Sequence, residues 1–412
     1  MQDTEIFTLG LGLANPPWFV ERVTLEATAR RLDLHLNFRA GTKFPHPVSG
    51  PPAPAHDPVQ KTWRPLNFFQ FECHLHARVP RVRDPEQGVR LIPVPWARSE
   101  SGFTLLMEAR IVLLARTTMA MMEVSRLVDE YGQRLWRVVE HYVQRAHARA
   151  DLSDVTTLGL DEVCVRQGRT YLTVARPPAT PDQPARVLDV AAGRDARAGQ
   201  AVIAFAQAHG APIEQAVMDM SPAYRKAAAP ALPQAVVIFD WFHVMAQAGA
   251  AVDAGRRREM ATAGALLKNT RYRWLTRGEH LSAARQEQQQ RRTRSGLATV
   301  RAWLRLEALR DLAAQPWAEA ERDLPWWGGW ALRRRIPELK KLVGTIRGHW
   351  DGIVAYLRTR VTNATAEALN GIIQTVQRKA RGHRTTRYFK TMLLLVAGQL
   401  DLRLPNVIPT AK

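Results

Sequence analysis

The sequence predicts an α/β protein: a mixed five-stranded sheet interrupted by an all-α insertion, preceded by a β-rich module and a group of helices. Three observations carry this prediction. Three extended apolar runs follow one another between Val155 and Gly193, and further runs then alternate with helical segments up to Phe242. Residues 245 to 360 show helical periodicity, high charge and many Trp residues. The first hundred residues are broken by Pro and Gly into short extended pieces.

In chain order, Leu32–Phe38 alternates apolar and polar residues, as a half-buried strand does. Pro45–Pro58 reads as a Pro-rich loop that forms neither a helix nor an inner strand. Phe68–Val79 and Val89–Ala97 read as further strands. Leu105–Ala115, Met121–Tyr131 and Arg134–Arg149 then show apolar residues three and four apart, with Gly132 separating the second helix from the third. This trio fits a helix-turn-helix, or equally a helical linker that buries its own apolar faces.

Thr156–Val165, Arg169–Ala175 and Ala185–Gly193 are the three consecutive strands. A helix at Gly199–His209, a strand at Pro212–Asp219, a helix at Ser221–Leu232 and a strand at Gln234–Phe242 follow. Three antiparallel strands, then helix and strand in alternation, is the order of an RNase H-like sheet. In that order the first and fourth strands are neighbours. Asn363–Ala380 reads as one late helix, and Thr391–Leu404 as an apolar helix too short to span a bilayer. The expected divisions are 1–100, 101–150, 151–254, 255–360 and 361–412.

Three acids stand out in this layout: Asp161 on the first strand, Asp219 at the end of the fourth, and Glu367 on the late helix. Read singly, each is an ordinary surface or capping residue. Together, in a chain with 58 Lys and Arg against 38 Asp and Glu and a net charge of +20, they suggest a metal site that cuts nucleic acid. The charge favours a polyanionic partner such as DNA or RNA, with an anionic membrane surface as the alternative. No apolar run is long enough for a spanning helix, and Met1–Val20 lacks a signal-peptide pattern. The two cysteines, Cys73 and Cys164, exclude a disulfide framework and fit a reducing compartment.

Other residues divide between contact and packing roles. Of the Trp residues between 274 and 350, most fit a helical core. Trp326, Trp327 and Trp330 are the candidates for stacking on DNA, because Gly328 and Gly329 suggest an exposed turn. Arg378, Lys379, Arg381, Arg384, Arg387 and Lys390 form the densest basic run near the C-terminus and are either phosphate contacts or a solvated face.

The segments GLDEVCVRQGRTYLTV, MDMSPAY, PQAVVIFDWFHV and NATAEALNGIIQTVQRKARGHR together resemble bacterial insertion-sequence transposases of the DDE class, and among them the ISL-three family. The resemblance covers nearly the whole chain. It implies that Asp161, Asp219 and Glu367 are the three catalytic acids and metal ligands. The family's D-x-F-H signature falls on Asp240, Phe242 and His243. Asp240 is a rival for the middle acid; the MDMSPAY setting favours Asp219, leaving Asp240 and His243 as support for the site, as a DNA contact, or as a structural pair.

Relatives in this family resemble a zinc ribbon at the N-terminus, with paired Cys-x-x-Cys-Gly tetrads. Here the tetrads are His46-Pro47-Val48-Ser49 and Asp84-Pro85-Glu86-Gln87, so all four cysteines are replaced. A degenerate zinc-ribbon-like module without structural zinc is therefore expected. Cys73 and His74 would point to opposite faces of a strand, and His74 with His76 supplies two ligands only.

The resemblance implies a DNA transposase. It would bind the terminal inverted repeats of its element, cut the ends with Mg²⁺ or Mn²⁺, and transfer the 3′-OH ends to target DNA. The partner would be double-stranded DNA rather than a membrane. Two ends must be paired, so a homodimer or larger assembly is expected, in the bacterial cytoplasm at the nucleoid. Two other readings stand beside it: a catalytically inactive transposase-derived DNA-binding protein, and an RNase H-like nuclease.

Overall fold

A computed structural model describes residues 3–13, 15–48, 50–117, 119–166, 170–178, 185–282, 286–287, 296–333, 336–361, 366–379 and 385–405. The chain divides into two units, residues 1–146 with 401–412, and residues 147–400.

The first unit opens with helix α1 (Asp3–Gly10) and six strands: β1 (Trp18–Glu26), β2 (Arg31–Phe38), β3 (Lys43–Pro45), β4 (Pro52–Trp63), β5 (Glu72–Asp84) and β6 (Gly88–Leu91). They form one sheet in the order β1-β2-β5-β4-β3, with β6 also on β5. The β2–β5 pair is parallel. The alternation expected of Leu32–Phe38 is present: Leu32, Leu34 and Leu36 are buried with Leu75, Ala77 and Val79 of β5. Trp96 closes this core with its ring edge-on to Trp18 and Trp63.

One expectation fails here. The Pro-rich segment is not a loop, because β4 begins at Pro52 and lies between β5 and β3. The reason is local. β3 pairs with β4 only up to Pro54, and β5 pairs with it only from Ala55. Each half of β4 thus uses one edge at a time, as a sheet-edge proline requires. Pro58 faces Pro80 directly, and two residues without N–H groups fit a non-hydrogen-bonded pair without loss of a ladder bond.

The described residues of the two tetrads, His46–Val48 and Asp84–Gln87, sit at turns after β3 and at the end of β5. In the second, Asp84 Oδ1 accepts the N–H groups of Glu86 and Gln87, which holds the turn from within. Cys73 points into the core, where burial pushes its thiol up to about 11. His74 and His76 lie on the other face and bond to Glu72 at 3.1 Å and Asp33 at 2.6 Å.

Three helices complete this unit: α2 (Leu105–Arg116), α3 (Met121–Val128) and α4 (Gly132–His147, whose last residue falls in the second unit). Thr104 caps α2 through the Met107 N–H. The break before α4 is made by Asp129 rather than by Gly132. Asp129 adopts the left-handed conformation (φ 51°, ψ 53°), which a short polar side chain tolerates, and Gly132 is already helical. Glu108 is fully buried on α2; it accepts from Arg98 at 2.8 Å, Ser101 at 2.5 Å and Tyr142 of α4 at 3.0 Å. This network ties α2 to α4. Replacing Glu108 with alanine strands three polar groups and is expected to cost about 2–3 kcal/mol. Chemical denaturation checks this, and a loss under about 0.5 kcal/mol would show that the network is dispensable.

The second unit contains β7 (Thr157–Arg166), β8 (Thr170–Arg176), β9 (Asp189–Ala192), α5 (Ala196–Ala208), β10 (Gln215–Met218), α6 (Pro222–Ala231) and β11 (Val236–Phe239). The sheet order is β11-β10-β7-β8-β9. β7, β8 and β9 are antiparallel to one another, while β10 runs parallel to both β7 and β11. This is the order expected from the sequence, with the first and fourth strands adjacent. α5 and α6 pack on one face through Val202, Ile203, Tyr224 and Ala227, against Leu158, Leu160, Ala216 and Met218.

Helices follow: α7 (Trp241–Leu267), α8 (Arg271–Leu275), α9 (Ala298–Ala314), α10 (Trp317–Leu332), α11 (Pro337–Gly348) and α12 (Trp350–Thr359). The boundary expected at 254–255 falls inside α7, so the helical region grows out of the helix that follows the last strand, β11. α12 packs on the edge strand β11, and Gly352 permits that approach: any side chain there would overlap the Phe239 ring. α13 (Ala366–Lys379) and α14 (Thr386–Ala397) close the unit and pack together. Among the described residues, no helix is long and apolar enough to cross a membrane.

The expected turn at Gly328–Gly329 is absent. α10 runs through it, pinned by Trp327, which is 2% exposed and donates its indole N–H to Arg305 O at 2.9 Å. Tertiary packing overrides glycine's low helix propensity here. Trp274 is likewise core, with its N–H on Thr270 Oγ1.

Candidate active site

Asp161 lies mid-strand on β7, and Asp219 follows the last residue of β10. The parallel register pairs Val217 with Gly159, so two more steps set Asp219 opposite Asp161. On the other side Met218 pairs with Phe239, so the next step sets Asp240 opposite Asp219, and the Asp240 N–H indeed reaches Met218 O at 2.9 Å. With the same register continued past the paired residues, the three aspartates fall in one row across three adjacent strands, which lie about 4.8 Å apart. Strand order reverses between β7 and β10: the chain leaves β7 toward β8 and leaves β10 toward β11. Open sheets bind ligands at such a switch point, beyond the carboxyl ends of the strands.

Each acid is held differently. Asp161 Oδ1 accepts its neighbour's N–H, from Glu162, at 2.8 Å, and Oδ2 accepts the guanidinium of Arg176 at 2.8 Å. Asp219 Oδ1 accepts the Ser221 N–H at 2.9 Å, at the start of α6, where the Ser221 hydroxyl caps the helix. Asp240 Oδ1 accepts the Phe242 N–H at 3.1 Å and caps α7. Two helix N-termini, with their partial positive charge, thus meet the acid row. Asp161 and Asp219 are partly exposed, whereas Asp240 is 4% exposed. Burial pushes the Asp240 carboxyl up, against the Phe242 N–H and the nearby His243 and Arg176, and the Asp161 charge adds to the rise. His243 stands in the first turn of α7, its N–H on Asp240 O at 3.0 Å. Glu162 is on the opposite face of β7 and pairs with Arg194 at 3.3 Å.

Glu367 lies in the first turn of α13, and its side chain is outside the described residues. The same helix is tied to β7, because Gln377 donates to Cys164 O at 3.0 Å. Among the described residues no three ligand-type side chains converge. The donors in place, Asp161 and Asp219, are accessible carboxylate oxygens on neighbouring strands. That donor set fits a hard divalent cation.

The structure separates the candidate DNA contacts. Trp327 is corrected to a core residue, with its ring buried and its only donor engaged. Trp326 is 64% exposed and stacks on Trp330, one helical turn away, with centroids 6.0 Å apart. Arg305 covers the Trp330 ring at 4.2 Å. Arg378 and Arg387 are exposed; Lys379 is partly buried, which pulls its pKa down to about 8; Arg381 and Arg384 lie outside the described residues. Sequence reasoning missed Arg176. Its one sequence signal is a lone charge that ends an apolar strand, in hairpin register with Gly159 and diagonal to Asp161.

Comparison with known proteins identifies the family. The transposase profile of the ISL3 family matches residues 158–393, from β7 through most of α14. The helix-turn-helix domain of transposase family ISL3 matches residues 92–143, which takes in α2, α3 and most of α4. The chain is 27% identical over 382 residues to the transposase for insertion sequence element IS1557 of Mycobacterium tuberculosis, covering 84% of this chain and 83% of that one. It is 26% identical over 389 residues to the transposase for IS1001 of Bordetella parapertussis, covering 90% and 93%. Among solved structures, the Drosophila P element transposase strand transfer complex matches with a TM-score of 0.44 and 11% identity, over 74% of this chain and 94% of that chain. With a transposase profile spanning more than half its length and a helix-turn-helix before it, this chain belongs to the ISL3 family of DDE insertion-sequence transposases.

Proposed function

We propose that this transposase cuts the ends of its element at the row formed by Asp161 and Asp219, completed by Glu367, and joins the freed 3′-OH to target DNA. The observation that carries the reading is the parallel β10–β7 register, paired up to Val217 and Gly159, which continued two residues puts Asp219 beside Asp161 where the strand order reverses. The same strand order supports an RNase H-like core, with α8 to α12 as its insertion. Asp161, Asp219 and Glu367 would hold divalent ions, Mg²⁺ or Mn²⁺, which when bound supply a hard Lewis acid at the attacking and leaving oxygens. For Glu367 to join, α13 must run alongside β7. Gln377 is about 15 Å along the helix from Glu367, and Cys164 is about 10 Å along the strand from Asp161. A parallel course from the Gln377–Cys164 bond therefore carries the Glu367 backbone to about 5 Å past the level of the row, a distance its side chain can span.

The protein's own groups position the DNA. The N-termini of α6 and α7 favour a phosphate at the row. Asp240 caps α7 and, with His243, holds the β11–α7 junction behind the two ligands. Arg378, Lys379 and Arg387, with Arg381 and Arg384 between them, would bind the backbone, and Trp326 over Trp330 would offer a stacking face. The β module at 1–100 and the helices at 101–150 would recognise the inverted ends. Pairing of two ends supports at least a homodimer, and the DNA partner supports a place at the nucleoid.

The test is incubation of the protein with labelled end duplex and Mg²⁺. Nicking at the end boundary followed by joining is the expected result. Binding without nicking would instead mark an inactive DNA-binding descendant, and cutting indifferent to the ends would mark a general nuclease.

A further inference from the structure

We propose that Arg176 is the resident counter-cation of the acid row, which keeps divalent-ion affinity low in the DNA-free enzyme and so couples ion loading to DNA. The proposal rests on the reading of Asp161 and Asp219 as ligands. Arg176 ends β8 and is 2% exposed. It lies opposite Gly159, which places no side chain on that stretch of the face, and it bonds Asp161 Oδ2 at 2.8 Å. Its field also reaches Asp240. Burial pulls the Arg176 pKa down while Asp161 and Asp240 oppose the shift, and a guanidinium keeps its charge throughout. Its buried Nε has no hydrogen-bond partner among the described residues, so little besides the acids accounts for a charge in this position.

The consequence is electrostatic. With the Glu162 N–H on Oδ1 and Arg176 on Oδ2, Asp161 is oriented and charge-balanced before any ion arrives. A divalent ion at Asp161 then sits close to a fixed positive charge, in a site only partly open to solvent. The positive ends of α6 and α7 add to that repulsion. A DNA phosphate brings the compensating negative charge. Ion and DNA therefore bind with positive coupling, and by linkage each tightens the other.

The experiment is Mn²⁺ titration of the full chain without DNA, comparing wild type, Arg176→Met, Arg176→Lys and the double variant Asp161→Asn/Asp219→Asn. Arg176→Met is expected to bind Mn²⁺ about tenfold tighter, and Arg176→Lys, which keeps the charge, to stay within about twofold of wild type. The double variant is expected to lose the site. An Arg176→Met affinity equal to or weaker than wild type, with the site lost in the double variant, overturns the counter-cation role alone. Wild-type Mn²⁺ binding by the double variant overturns the ligand reading itself. Should Arg176→Met fail to fold by circular dichroism, the wild type decides. Its site affinity is expected to rise about tenfold with end DNA, and an unchanged affinity overturns the proposal.

Discussion

Alanine at Asp161 or at Asp219 is expected to lower end cleavage by about 10³-fold or more, with end binding retained. The size follows from losing several kcal/mol of stabilisation of developing charge on the attacking and leaving oxygens. End binding should hold because the helix-turn-helix at 92–143 lies in a different unit of the chain from the acid row. Removing a carboxylate also removes a repulsion from DNA phosphate, so a gel shift should show equal or tighter binding. Asp240→Ala separates the two middle-acid candidates. Asp240 is buried and caps α7, so its loss should cost about 1 kcal/mol of stability and reduce cleavage far less than loss of Asp219 does. The reverse outcome, with a folded Asp240→Ala protein dead and Asp219→Ala active, would move the middle position of the site to Asp240.

Much of this core was legible because its signals are local. The β7–β8 hairpin and the short strands β10 and β11 are written in apolar runs bounded by turns, and adjacency of β7 and β10 follows from the element order. Asp219 and Asp240 each sit one residue past such a run, where the chain leaves a strand for a helix: Asp240 caps α7, and Asp219 accepts the N–H of Ser221, which caps α6. What was not legible depends on partners distant in sequence. β4 can lie between β3 and β5 only because they use different halves of it, which no propensity of Pro52, Pro54 or Pro58 reveals. The Arg176–Asp161 bond needs the hairpin register before the arginine acquires any meaning. Glu108 looks like a surface acid in a helix until Arg98, Ser101 and Tyr142 converge on it.

The adjacent residues Trp326 and Trp327 should behave as opposites. Helical geometry turns successive side chains by about 100°, and here that step separates core from solvent. Trp327 is buried against the α9 backbone with its indole N–H on Arg305 O, and it shares a core with Leu324, Val343 and Ile346. Trp327→Ala should therefore cost about 3–5 kcal/mol, enough to unfold the helical region at moderate denaturant. Trp326→Ala should change stability by less than about 0.5 kcal/mol, since its ring is mostly exposed. Its effect should fall on DNA. The ladder of Arg305, Trp330 and Trp326 leaves the outer face of Trp326 open, and loss of one base-stacking face weakens binding by about 1–3 kcal/mol. Denaturation and end-DNA affinity measured on both variants decide the matter. Unchanged DNA affinity in a folded Trp326→Ala protein would make the exposed pair a solvated surface. The WWGGW segment would then serve α10 packing alone.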